Sequence, residues 1–206
     1  MASPAPLPLS RERILTCAVQ LADRDGLDAA SLRKVALELG VHVTSLYHHV
    51  ATKEALLDGV VEQIVTGADL PVGDVPWEEW VRSYVDAIAR LALEHPGAFA
   101  ALLRRPVQGP RATATFEAGL AAFRGAGLSV RASYAAVKSV ALSTLGCCFE
   151  QTFLATDADL STDVASLPRQ DFPVLHEAIA IAGDVDVVAA LREVLVAGLA
   201  DQVARA

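Results

Sequence analysis

The chain has 206 residues, a formal net charge of −8 and 53% apolar residues. That length suits one medium or two small domains, and that apolar share can bury a large core and a subunit interface besides. No apolar run promises a bilayer span, and residues 1–9 lack the basic and apolar parts of a signal peptide, so no membrane partner is expected.

Residues 1–9 read as a short flexible arm. An amphipathic helix is predicted from about Ser10 to Arg24, with Ile14, Ala18, Leu21 and Ala22 on one stripe. Ser10 can cap its start and Gly26 can close it, and Leu27 returns the chain to the core. Ser31 then caps a second helix whose Leu32, Val35, Ala36 and Leu39 recur at helical spacing. Gly40 permits the positive φ that ends it, and Val41 plugs the turn.

A third helix begins near His42. Leu46 and Val50 point inward, whereas Val43, Thr44, Ser45, Tyr47 and His48 are left to face outward. Two helices about a tight turn, the second carrying small and hydrogen-bonding groups, suit the DNA major groove. A plain surface hairpin of two helices is the alternative. Thr52 caps a longer element with Leu56, Leu57, Val60, Val61 and Ile64 inside, which completes a domain over 10–68.

A turn-rich break, 69–76, precedes a second domain, 69–206. Pro76 at the first turn and Glu78 and Glu79 near the dipole start a helix over Trp77 to Leu93. His95-Pro96-Gly97 ends it and opens a short helix to about Leu103, and Arg105-Pro106 to Pro110 is a further break. Helices follow over Arg111 to Arg124 and Ser129 to Ala155. The acidic, turn-rich stretch from Thr156 to Asp171 reads as a mobile loop. Two last helices run over Phe172 to Ala182 and Val185 to Ala204.

The helix from Ser129 carries small residues (Ala132, Ala135, Ala136, Ser139, Val140, Ser143, Gly146), and the last helix has a wide stripe of Val187, Val188, Leu191, Val194, Leu195 and Leu199. A helix apolar on more than one face wants two partners. One is its own core, and the other is a second copy of the chain or a thicker monomer core. Cys17, Cys147 and Cys148 form neither a Cys-x-x-Cys motif nor a disulfide framework, which points to a reduced, cytoplasmic setting. The Cys147-Cys148 pair reads as packing rather than a thiol switch. No Gly-x-Ser-x-Gly, phosphate-cradling loop or His-Glu-x-x-His is present, so neither an enzyme nor a cofactor is expected. The adjacent His48 and His49 point apart on a helix and make a poor metal pair.

The run from Arg13-Ile14-Leu15 through Leu56-Leu57 resembles the tetracycline-repressor-like (TetR) family of bacterial transcription regulators. Its most specific pieces are Gly26-Leu27, Leu39-Gly40-Val41, Ser45-Leu46-Tyr47-His48-His49-Val50 and Lys53. A weaker likeness to the ligand-binding half of the tetracycline repressors rests on Gly97-Ala98, Arg105-Pro106, Gly127-Leu128-Ser129, Thr144-Leu145-Gly146-Cys147 and Glu150. The resemblance implies an all-α protein: a helix-turn-helix DNA-binding domain, then a ligand-binding domain that dimerises through a four-helix bundle.

It further implies a DNA face of Ser31, Arg33, Val43, Thr44, Ser45, Tyr47, His48, His49 and Lys53. Arg33 would read a base edge; Tyr47, His49 and Lys53 would hold phosphates. The implied function is a homodimeric repressor on a palindromic operator, released by a small molecule; an activator, a dual regulator or a helical module without DNA binding are alternatives. Acidic net charge weighs against DNA, yet between Ser31 and Lys53 Glu38 is the sole acid against Arg33, Lys34 and Lys53, and local charge governs phosphate affinity.

Trp80, Tyr84, Phe99, Phe116, Phe123, Phe149, Glu150, Phe153 and His176 fall where the family surrounds its ligand, although each aromatic could instead be core. The repressors' metal-chelating histidine falls on Ala101, two drug-holding residues on Tyr84 and Ile88, and a glutamine on Gly119; Glu150 alone persists. Tetracycline is thereby rejected, and an apolar or aromatic effector is expected.

Overall fold

A computed structural model describes residues 8–105, 107–153 and 163–206. Its elements are α1 (Arg11–Asp25), a 3-10 turn (Leu27–Ala29), α2 (Leu32–Leu39), α3 (Val43–Tyr47), α4 (Lys53–Gly67), α5 (Trp77–Glu94), α6 (Pro96–Phe99), α7 (Ala101–Arg104), α8 (Pro110–Gly125), α9 (Val130–Phe153), α10 (Pro173–Ile181) and α11 (Val187–Ala204). No strand occurs among the described residues. The expected all-α class therefore holds.

Local chemistry explains the boundaries. The Ser10, Ser31 and Thr52 hydroxyls accept from the backbone N–H of Arg13 (3.2 Å), Lys34 (3.3 Å) and Ala55 (3.0 Å), so each satisfies a donor that its helix leaves orphaned. Gly40 takes the left-handed conformation (φ 67°, ψ 31°), and the Val41 N–H then donates back to the Ala36 carbonyl at 3.0 Å.

The chain divides into two compact units, Met1–Ala68 with Glu94–Thr113, and Asp69–Leu93 with Ala114–Ala206. The boundary expected at residue 68 thus marks the first of three crossings; the segment over 94–113, expected in the second domain, packs with the first. The physical reason lies at α6. The Asp23 carboxylate accepts from His95 Nδ1 (2.8 Å) and from the Ala98 N–H (2.9 Å). Gly97 lies so close to α1 that an added Cβ would sit 1.8 Å from the Ala22 carbonyl oxygen. Further along, the Arg105 fork grips Asp58 of α4 (2.6 and 2.9 Å) and holds that carboxyl below its usual range. The short helix expected to run to Leu103 is two helices of four residues, α6 and α7.

In the second unit Trp77, Trp80, Val81, Val85, Phe123, Val137, Val140 and Leu199 form the core. Trp80 Nε1 donates to the Thr115 carbonyl at 3.1 Å, which settles the one polar atom of a nearly inaccessible indole. α11 packs along α9. Its wide stripe splits: Val188, Leu195 and Leu199 meet the core, whereas Val187 and Val194 are exposed. No residue of α10 is buried.

The expectation that no run could span a bilayer needs correction. Val130–Thr152 in α9 reaches a mean hydropathy of 1.2 and is long enough by composition alone. Arg131, Lys138 and Glu150 interrupt it on its exposed side, while Ala136, Val137 and Val140 lie in the protein core. Of the loop expected over Thr156–Asp171, residues 156–162 lie outside the described residues, and so do Ala155 and Pro106. Its remainder is not wholly loose, since Val164 is buried.

Candidate nucleic-acid interface

Helix α3 is anchored from within. Leu46 and Val50 are almost inaccessible, and Val35 and Ala36 of the facing α2 are buried. The Val50 N–H donates to the Leu46 carbonyl at 2.8 Å and closes the end of α3. With that side fixed, the opposite side must face solvent. Thr44, His48, His49 and Lys53 are exposed, Tyr47 is 50% exposed, and Val43 and Ser45 are half-buried at the rim. Arg33 projects from α2 as an exposed cation. Ser31 differs from the rest: its hydroxyl is engaged in capping α2.

Leu39 and Val41, both expected inside, are half-buried, and Leu37 stands 82% exposed. The electrostatics favour an anion at this face. Glu38, the lone acid of 31–53, is held by Arg24 of α1 at 3.1 Å, which lowers its carboxyl's pKa and cancels its charge locally. Lys34 and His42 are exposed here as well. The sequence pattern gives His42 no role beyond marking where α3 begins. The structure makes it the N-cap residue, with its backbone carbonyl accepting from Ser45 at 2.9 Å and its imidazole making no capping bond.

The aromatic set expected around a ligand is dispersed. Trp80 lies between Tyr84 (ring centroids 5.1 Å) and Phe123 (6.3 Å), and Phe123 also stacks on Trp77 at 5.6 Å. Trp80 and Phe123 are thus spent on the core. Phe99 is wholly buried and belongs to the first unit. Tyr84, Phe116 and Phe149 are half-buried, and Phe116 meets Tyr134 edge-on at 5.8 Å. Glu150 is exposed, and His176 Nε2 lies 3.1 Å from the Leu167 carbonyl oxygen. The Phe153 side chain lies outside the described residues. Burial pushes the Tyr84 phenol up to about 12, so it is a neutral hydrogen-bond donor at neutral pH.

Burial also raises the thiols, with Cys148 reaching about 11 and Cys147 raised further by Glu150 and Asp186. Such thiols are poor nucleophiles. Mild peroxide is therefore expected to leave DNA binding unchanged. Oxidant-dependent release that disappears in a Cys147→Ser, Cys148→Ser variant would contradict this.

A helix-turn-helix with its recognition face open, joined to a second helical unit, defines the class: a DNA-binding transcription regulator. Residues 14–60 match the model of the tetR family of bacterial regulatory proteins. The chain is 32% identical over 180 residues to the class D tetracycline repressor protein of Escherichia coli, covering 84% of this chain and 79% of that one. An HTH-type transcriptional regulator of Saccharopolyspora erythraea is 37% identical over 141 residues, which span 66% of this chain and 60% of the relative's length. Apo ActR of Streptomyces coelicolor superposes with a TM-score of 0.82 at 26% identity, covering 98% of this chain and 99% of ActR. ActR in complex with actinorhodin gives 0.80 at 26% identity, covering 95% and 99%. The chain belongs to the TetR family, whose members are transcription regulators and not enzymes.

Proposed function

We propose that this chain acts as a homodimer that occupies a palindromic operator as a repressor and leaves it when an apolar or aromatic molecule binds the second unit. The observation that carries the reading is the outward side of α9 and α11. Val130 (67% exposed), Tyr134 (54%), Leu142 (61%) and Val194 (68%) stand among the small residues Ala135, Ser139, Ser143 and Gly146. Small residues let helices approach closely, and the large ones would otherwise stay in water. A second copy presents the same surface and covers it by two-fold symmetry. Two-fold pairing in turn matches two half-sites.

On the operator, Arg33 reads a base edge, Val43, Thr44 and Ser45 meet the groove, and Tyr47, His48, His49 and Lys53 hold the backbone. Lys53→Ala should weaken all duplexes and shallow the salt slope by about one unit per subunit. Arg33→Ala should cost about 1–3 kcal/mol per half-site and relax one operator position. An unchanged affinity and salt slope in Lys53→Ala would rule out this docking.

The effector differs from a magnesium-tetracycline complex. Ala101 is buried and offers no metal ligand, and at Gly119 a Cβ would lie 2.6 Å from the Trp80 ring. No polar side chain fits there. Tyr84, Phe116 and Phe149 remain as half-buried contacts for a planar ligand, with the Tyr84 phenol as donor. ActR, of similar fold, takes actinorhodin, and that compound is the first probe. Genomic DNA recovered with the protein supplies the operator duplex for fluorescence anisotropy. Actinorhodin is expected to raise the operator Kd by about 5–150-fold, the span of ordinary couplings. A protein that is monomeric on the operator, or one whose operator Kd no planar polycyclic compound changes, would overturn the reading.

A further inference from the structure

We propose that His42 and His48, together with His49, are operator contacts whose protonation tightens the complex, so that this regulator's DNA affinity is set by pH as well as by its effector. The inference rests on the operator reading above and extends it to a residue, His42, that the reading did not include. All three imidazoles are exposed and flank α3, one at its start and two at its end. None is hydrogen-bonded to another described residue, so none has a structural duty that would explain it.

The charge around them makes their protonation count. Helix α2, packed against α3, presents Arg33, Lys34 and Glu38, and Glu38 is held by Arg24 of α1. Helix α4 opens with Lys53 and Glu54. Three permanent cations thus serve the stretch 31–53, and three imidazoles could double that number. Histidine is the side chain that gains its charge between pH 8 and 5. A phosphate beside an imidazole favours the protonated form, so binding DNA takes up protons. By linkage, affinity must then rise as pH falls, at about tenfold per pH unit for each proton taken up. A residue placed at the surface for solubility alone would show no such coupling.

The test is operator affinity by fluorescence anisotropy between pH 5.5 and 8.5 at fixed ionic strength, on the duplex recovered from genomic DNA and on a scrambled duplex. The wild-type Kd is expected to fall at least about tenfold from pH 7.5 to 6.0. His42→Gln, His48→Gln is expected to lose most of that change, its Kd varying far less with pH than the wild type's whatever its absolute value. His42→Arg, His48→Arg should bind tightly at pH 8.5 with a flattened profile, a rescue that a packing role would not produce. Circular dichroism at both pH limits checks that each variant is folded. A flat wild-type profile, or a slope that persists in the glutamine variant, overturns the proposal while leaving operator binding intact. Failure to bind any duplex at any pH overturns the operator reading and the proposal with it.

Discussion

Gly97→Ala is expected to lower stability by about 3 kcal/mol, the upper range for an overpacked site. The added Cβ would stand 1.8 Å from the Ala22 carbonyl oxygen, 2.4 Å from its carbon and 2.8 Å from the Asp23 Cα. All three are backbone atoms of α1, so no rotamer change relieves the clash. Either α6 withdraws or α1 shifts, and α1 supplies Ile14, Leu15, Ala18, Leu21 and Ala22 to the core. Withdrawal also stretches both hydrogen bonds on Asp23, leaving the Ala98 N–H without its acceptor. For a chain of this size the apparent Tm should fall by about 6–12 °C. Gly67→Ala is the control, because a Cβ there meets nothing within 4 Å, and its Tm should stay within about 2 °C. Equal Tm values for both variants would mean that the segment over 94–113 is not seated on α1 as described.

That same contact shows where sequence reading stops. Helices α1 and α2 announced themselves because a hydroxyl cap, an apolar period and a glycine stop agreed at each, and α4 did so by its cap and period. The packing of 94–113 onto the first unit gave no comparable signal. Helices α6 and α7 have four residues each, too few for a period, and what joins α6 to α1 is a missing Cβ and one carboxylate 72 and 75 residues away in sequence. The aromatic residues were hard for a related reason. The family resemblance set Trp80, Tyr84 and Phe123 around a ligand but could not separate a ring stacked on its neighbours from a ring lining a ligand. Distance decides that, and at 5.1–6.3 Å between centroids these rings contact each other. Leu46 of α3 and Val50 just beyond it fixed the exposed side, which made most of the candidate face legible. His42 escaped because an N-cap position is usually read for a hydroxyl or carboxylate acceptor.

The Leu142→Glu, Val194→Glu variant is expected to be monomeric and to lose most operator affinity. Sequence composition showed that α9 and α11 were apolar on several sides but not which side stayed open. The structure separates them: Ala136, Val137, Val140 and Leu199 go to the core, and Leu142 and Val194 face outward. In a two-fold interface each substitution appears twice, so four carboxylates would enter one apolar surface. Leaving such a charge unpaired on association costs several kcal/mol, more than two leucine or valine side chains return by burial. Light scattering should show a change from twice the chain mass to the 21.6 kDa of one chain. A monomer engages one half-site and forgoes the advantage of joined binding, which is about 10²–10⁴-fold. The operator Kd should rise by that order while circular dichroism stays helical, since neither side chain contributes to the core. Leu93→Glu is the control: Leu93 is 83% exposed on α5, so the same charge added there should leave the mass and the operator Kd unchanged. A double variant that still scatters as twice the chain mass would place the subunit interface elsewhere, and a wild-type monomer that binds its operator at full strength would remove the need for one.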